Sequence, residues 1–141
     1  MTTRIAEPNA VITESDFDRL MRLVDSPRYR SADPRRVLGL KSELDRRVVV
    51  ASNRTPKGAV TMNSRVRVRD LETDESETYT LVFPEAADIE TNRLSVLAPL
   101  GTALLGRFAG DEVEFAVPAG VRRLRIERIV YQPEAAGDFH L

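Results

Sequence analysis

Residues 94–115 read LSVLAPLGTALLGRFAGDEVEF, and the parsing of this stretch decides the fold. Leu94 and Val96 form an extended apolar entry. A short helix should start at Pro99, whose fixed φ suits the first helical position, and stop before Gly106, which can take the left-handed geometry past a helix end. Leu100, Ala103 and Leu104 recur at i, i+3 and i+4, so one face of that helix is buried, and a helix this short can bury it only against a sheet. Gly110-Asp111 turns the chain. Val113, Phe115 and Val117 then alternate with Glu112, Glu114 and Ala116 as in a half-buried strand.

In the strand before it, Met62, Ser64, Val66 and Val68 alternate with Asn63, Arg65, Arg67 and Arg69, giving one basic face. An acidic turn over 71–76 leads to its partner, with Tyr79, Leu81 and Phe83 alternating with Thr78, Thr80 and Val82 until Pro84 stops it. After a turn at 118–120 the last strand carries Leu124 and Ile126 in one phase and Ile129 and Tyr131 in the other. A slip of one residue predicts a β-bulge near Glu127-Arg128.

The N-terminal third follows a helical period. Thr13-Glu14-Ser15-Asp16 reads as a capped start, with Asp16 in the capping-box position and Ile12 and Phe17 as a hydrophobic staple. The helix should run over 14–25 with Phe17, Leu20, Met21 and Val24 as its stripe. A short loop, 26–32, precedes a second start in which Asp33 is the cap and Pro34 the first helical residue. Val37, Leu40, Leu44 and Val48 give the second stripe. Two helices so joined form an antiparallel hairpin, a short coiled-coil arm roughly 20–25 Å long at 1.5 Å per residue. NRTPKG at 53–58 has linker composition. The expected organisation is an arm over 1–52, a linker over 53–58 and a body over 59–141, in the α+β class.

With 141 residues and 42% hydrophobic content the chain can bury one ordinary core, and the run 94–105 is too short and too interrupted to span a membrane. The start, MTTRIAEP, lacks the apolar segment of a secretory leader and there is no cysteine, so a cytoplasmic location is expected. Net charge is −1, but residues 1–58 carry 12 basic against 8 acidic side chains and residues 59–141 carry 9 against 14. That asymmetry suits two parts facing different surroundings.

Chemical motifs are sparse. Gly101-x4-Gly106-Arg107 has phosphate-loop spacing, yet the intervening Thr-Ala-Leu-Leu belongs to a buried helix and Arg107 stands where lysine is needed. Asp70-x-Glu72-x-Asp74 opens like a calcium loop but has Glu75 and Leu81 where glycine and glutamate belong. His140, the lone histidine, lies one residue from the end. No nucleophile–base pattern is present. Neither a cofactor nor a metal is expected, and enzyme activity finds no support. Two basic groups remain. Arg65, Arg67 and Arg69 should pair with Glu72, Asp74, Glu75 and Glu77 nearby, whereas Arg28, Tyr29 and Arg30, with Arg35-Arg36 beyond, suit an anionic surface better.

The pattern AP-x-x-x-ALLG-x-x-x-GD-x-V, followed by a Pro-Ala-Gly turn and a strand, resembles the C-terminal domain of the Gre transcript-cleavage factors. The segments VTMNSRVRVR and YQPEAAGDFHL, with the Ala98-Pro99 pair, narrow the resemblance to the regulator of nucleoside diphosphate kinase (Rnk) family. It implies an FKBP-like antiparallel sheet body with one short helix, lacking isomerase activity. It also implies docking on RNA polymerase near the secondary channel, an effect on nucleoside diphosphate kinase levels, and no direct nucleic-acid or membrane contact. By the same resemblance, Leu97, Ala98 and Pro99 are the docking residues, with Leu97 an apolar anchor near the surface unless it ends the preceding strand as core. The tip, Arg28, Tyr29 and Arg30 with Asp33 at its flank, lacks the acidic pair by which Gre arms hold a catalytic magnesium, so no cleavage is expected. The alternative reading is a small nucleic-acid-binding module using the arm-tip and strand arginines.

Overall fold

The computed structural model describes residues 10–141, and the reading of residues 1–8 lies outside them. Strand β1 (Val11–Thr13) runs into helix α1 (Glu14–Asp25), capped by the Thr13 hydroxyl, which accepts the Asp16 N–H at 3.0 Å. Asp16 does not close the expected capping box. Its carboxylate turns inward, accepting the Met62 N–H at 2.9 Å and an Arg19 N–H at 2.5 Å. The buried stripe is Leu20, Leu23 and Val24, with Phe17 and Met21 at its half-exposed margin.

Three expectations for this region need correction. The connection 26–32 is no loop but helix α2 (Pro27–Ala32), because Pro27 suits a first helical position as well as it ends the helix before it. Helix α3 (Pro34–Leu44) stops before Val48, which is half exposed in strand β2 (Val48–Val50), so the second stripe is Val37, Leu40 and Leu44. Asp33 occupies the position before α3 but makes no side-chain cap bond, its carboxylate lying 3.6 Å from Arg36 instead.

Beyond a 3-10 turn at Ser52–Arg54, the Gln132 amide donates to the carbonyls of Pro56 and Ala59 at 2.8 Å each, pinning the 53–58 stretch to the end of the sheet. The sheet comprises β3 (Arg65–Asp70), β4 (Ser76–Val82), β5 (Arg93–Ser95), β6 (Glu112–Val117) and β7 (Gly120–Tyr131) in the order β5-β4-β3-β7-β6. It is mixed rather than wholly antiparallel. The 83–92 connection, with 3-10 turns at Pro84–Ala86 and Ile89–Thr91, carries the chain back so that β5 runs parallel to β4. The short helix α4 (Pro99–Leu104) lies between β5 and β6, and a second one, α5 (Pro133–Ala136), follows β7. The register of β3 on β7 skips Glu127, as the sequence phase predicts, and skips Val130 as well.

Leu20, Leu23, Val24, Val37, Leu40 and Leu44 from the helices share one hydrophobic cluster with Val60, Met62, Val66, Val68, Leu81, Leu104 and Ile126. The helices are thus a layer on the inner face of the sheet. Polar bonds add to the joint: besides Asp16, the Arg47 guanidinium donates to the Leu105 carbonyl through Nε and Nη2 at 3.0 and 2.9 Å.

Burial raises the pKa of Asp16 above its ordinary value, outweighing the Met62 N–H and Arg19, which pull it down. The folded state therefore holds this proton to higher pH than the unfolded chain does. The stability the group contributes is complete below the unfolded pKa and is lost as pH rises through the folded one. Asp16→Asn should remove that slope, so wild type is expected to lose stability relative to the variant as pH is raised from about 3 to 7. Urea denaturation of both proteins across that range checks it, and a constant difference would mean that Asp16 titrates normally.

Candidate docking surface

Helix α4 begins at the edge of the sheet because Pro99 fixes its first φ and Gly101 lets it approach β5. A Cβ on Gly101 would lie 2.1 Å from the Ser95 carbonyl oxygen, which explains the first glycine of the phosphate-loop spacing by packing alone. Gly106 sits at φ +79° with its missing Cβ 2.4 Å from the Val11 carbonyl oxygen, so the second is also a close backbone approach. Entry to α4 is held by the Ala98 N–H on the Ser95 carbonyl at 3.0 Å and the Leu97 N–H on Ser95 Oγ at 3.1 Å. The Thr102 hydroxyl reaches back to the Val96 carbonyl at 2.6 Å.

This geometry separates the three expected docking residues. Leu97 is only 7% exposed and belongs to the core cluster, so it is not a surface anchor: the apolar position nearest the strand is drawn under the helix start. Ala98 is half-buried and Pro99 exposed. Pro99 is the ridge between two clefts that also share Arg36, Phe115 and Ala116. One, about 450 Å³, has Tyr79, Leu94, Phe115 and Leu124 in its walls and Glu75, Glu77 and Arg122 at its rim. The other, about 980 Å³, lies between α3 and β6 and is lined by Gly39, Ala103, Val113, Arg107 and Arg123 among others.

The tip residues lie elsewhere. On α2 the Tyr29 hydroxyl donates to the Glu85 carboxylate of the 83–92 connection, which raises the Tyr29 pKa and lowers that of Glu85. The Arg28 guanidinium lies 5.3 Å from the Tyr29 ring centroid, and Arg30 is exposed. Arg19 stacks over Phe83 at 4.9 Å beside them. The tip thus rests on the body, with Asp33 half-buried past its end.

The strand arginines pair differently from expectation. Arg67 and Arg69 both reach Glu127, at 2.9 and 2.7 Å, because the bulge turns that carboxylate onto their face. Only Asp74, 3.2 Å from Arg69, comes from the acidic turn. Asp70 closes that turn, accepting the Glu72 and Thr73 N–H groups at 2.8 and 3.1 Å, and binds Arg122, so its carboxylate has a structural task. Arg47, Glu85 and Gln132 escaped the sequence reading. Arg47 lies three residues beyond Leu44 and seven beyond Leu40, in line with the buried stripe, and that spacing was the signal available for it. For Glu85 and Gln132 there was none.

Residues 55–131 match the family described as "Transcription elongation factor, GreA/GreB, C-term", and residues 8–50 match "Rnk N-terminus". The "Regulator of nucleoside diphosphate kinase" of Escherichia coli (strain K12) is 38% identical over 141 residues, spanning 97% of this chain and 100% of that protein. "Transcription elongation factor GreA" of Hyphomonas neptunium is 28% identical over 134 residues, covering 91% of this chain and 85% of the relative. Among solved structures, a "Prokaryotic transcription elongation factor GreA/GreB from Nitrosomonas europaea" superposes with a TM-score of 0.71 at 38% identity, covering 88% of this chain and 99% of that one.

Proposed function

The chain belongs to the Rnk family, which joins an Rnk N-terminus to a GreA/GreB-type C-terminal domain, and from that premise we propose a non-enzymatic transcription regulator that binds RNA polymerase without stimulating transcript cleavage. The observation that carries this reading is the tip. Its sequence from Ser26 to Ala32 contains no carboxylate, and its central Tyr29 is bonded to Glu85 of the body. Cleavage chemistry of the two-metal kind needs carboxylates within about 2.0–2.1 Å of a magnesium ion, and Arg28 and Arg30 bring the opposite charge.

Binding near the secondary channel would use Ala98 and Pro99, with Leu97 as the core support beneath them. An effect on nucleoside diphosphate kinase levels belongs to the same reading through the name its relatives bear. So does a division into a helical part over 1–52, a linker over 53–58 and an FKBP-like body over 59–141, in line with family matches that part between residues 50 and 55, although helices α1 and α3 pack on the sheet and do not project from it as an arm. Among the described residues no helix is long and apolar enough to cross a membrane.

Pro99→Glu places a carboxylate in the first turn of α4, where the helix dipole tolerates it, so the fold should persist. Capture of core RNA polymerase is expected to fall on the order of tenfold or more, because an exposed apolar ridge becomes charged. Wild-type capture by a folded variant would remove this ridge from the interface. Added to stalled elongation complexes, the wild-type protein should release no 3′ fragments. Release that disappears in Asp33→Ala would overturn the non-cleaving reading.

A further inference from the structure

The outer face of the five-stranded sheet carries the rows Arg93-Thr80-Arg65-Tyr131 and Thr78-Arg67-Arg128, each row formed by residues directly opposite on neighbouring strands. Residues opposite one another share a face, so these side chains all point away from the core that Val66, Val68 and Ile126 occupy on the other side. Towards the β6 edge the positive charge is cancelled. Arg125 lies 3.0 Å from Glu112, Arg123 lies 3.5 Å from Glu114, and Arg67 and Arg69 share Glu127. At the opposite corner it is not. Arg65, Arg93 and Arg128 are exposed, and among the described residues none of their guanidinium groups meets a carboxylate.

We infer that this corner binds the phosphate backbone of a single-stranded nucleic acid. With strands about 4.8 Å apart, Arg93 and Arg65 flank Thr80 at about 10 Å, and Arg128 stands one strand further and two residues along. Asp88 stands opposite Arg93 at the sheet edge but turns its carboxylate to the Glu90 N–H at 3.0 Å. Three guanidinium groups without an ion pair among the described residues at that spacing, with the half-exposed Thr78 and Thr80 hydroxyls between them, offer charge and donors to successive phosphates. The shape favours a flexible strand. An open sheet face has no projecting helix or ribbon to enter a duplex groove, and a rigid duplex would meet it along one line of phosphates, whereas a single strand can lie across all three arginines. Half-exposed Tyr131, opposite Arg65, adds an aromatic ring at the margin, and its hydroxyl donates to the Asp138 carboxylate, which bounds the corner on that side. This departs from the expectation of no nucleic-acid contact, and of the strand arginines in the alternative reading it keeps Arg65 and leaves out Arg67 and Arg69, which Glu127 occupies.

Fluorescence anisotropy of the full chain with a labelled 20-nucleotide single-stranded RNA tests it. Binding is expected without polymerase, with log K falling against log salt at a slope of about −2, the value for three phosphates on a single strand. The triple variant Arg65→Gln/Arg93→Gln/Arg128→Gln should melt as wild type does, since all three side chains are exposed, and should bind on the order of tenfold or more weakly at low salt. Arg28→Gln/Arg30→Gln is the control and should bind as wild type does. The proposal is overturned by no binding by wild type, undiminished binding by the triple variant, an equal loss in the tip control, or tighter binding of duplex. Polyglutamate binding as tightly as RNA would also overturn it, assigning the corner to an acidic protein surface.

Discussion

Gly101→Ala is expected to lower the melting temperature by about 10 °C, a large loss for adding one methyl group. The methyl carbon would lie 2.1 Å from the Ser95 carbonyl oxygen, 3.0 Å from its carbon and 3.1 Å from Val96 Cα. All three are backbone atoms, and none has a free direction to move. The Val96 N–H is bonded to the Val82 carbonyl at 2.9 Å, and the Ser95 carbonyl already accepts the Ala98 N–H. Helix α4 cannot retreat either, because Leu100 and Leu104 are buried beneath it. Overpacking costs about 1–3 kcal/mol, and a clash with bonded backbone belongs at or above the top of that range, against a total stability of about 5–15 kcal/mol. Helix propensity acts the other way by about 1 kcal/mol, so the sign of the result is informative. Gly39→Ala supplies the contrast. That glycine is exposed in α3 with nothing within 4 Å of a built Cβ, and its replacement should raise the melting temperature. A thermal melt followed by circular dichroism decides both. Stabilisation by both alanines would mean that α4 stands further from β5 than described.

The second large effect belongs to Arg47. Its side chain is 1% exposed, makes two hydrogen bonds to the Leu105 carbonyl, donates to the Glu43 carbonyl at 3.2 Å and lies 3.0 Å from the Glu43 carboxylate. Burial pushes its pKa down and Glu43 pulls it back, and guanidinium is basic enough to stay charged throughout. Arg47→Ala removes the donors while leaving a buried carbonyl and a partly buried carboxylate behind, a loss of about 3–5 kcal/mol. Arg47→Lys should rescue little, since one ammonium cannot serve a carbonyl from two directions and a carboxylate at once. Urea denaturation measures these losses. Glu43→Gln combined with Arg47→Ala should cost less than the two single changes added together, because the charge left unpaired is then gone. Full additivity would show that Glu43 and Arg47 act independently.

Periodicity revealed much of this architecture in advance, and its limits are physical. Thr13, Pro99, Gly106 and the phase slip around Glu127 announce themselves because caps, fixed dihedrals and strand alternation are properties of neighbouring residues. Val48 misled because a branched residue four beyond Leu44 fits a helical stripe and a strand equally well. The choice was settled by the Ala10 carbonyl, which accepts the Val48 N–H at 2.9 Å from far along the chain. The turn 26–32 misled because proline ends one helix and opens another with the same geometry. At the candidate site, Ala98-Pro99 was legible as a helix start, but whether Leu97 faced water depended on how deeply α4 sinks into the sheet, which Gly101 controls from two residues beyond Pro99. Of the corner of Arg65, Arg93 and Arg128 only Arg65 was legible. Its members come from three strands, one of them parallel, and sequence alone could not say which arginines Glu127 would silence.

Strand β1 pairs in parallel with β2, Val11 opposite Val48 and Thr13 opposite Val50, and this short ladder has a bearing on how the chain is made. The Val11 N–H is bonded to the Gly106 carbonyl at 3.1 Å, and the Gly106 N–H to the Val60 carbonyl at 2.8 Å, so the first strand is clamped at a point about 95 residues downstream. At about 5–20 residues per second, Gly106 is synthesised on the order of 5–20 s after β1 is. The Met62 N–H that donates to Asp16 arrives earlier but is not yet held by a sheet. Strand β1 therefore precedes its anchor by most of a domain's synthesis, and Leu20, Leu23 and Val24 have only the α3 stripe to cover them until the sheet closes beneath.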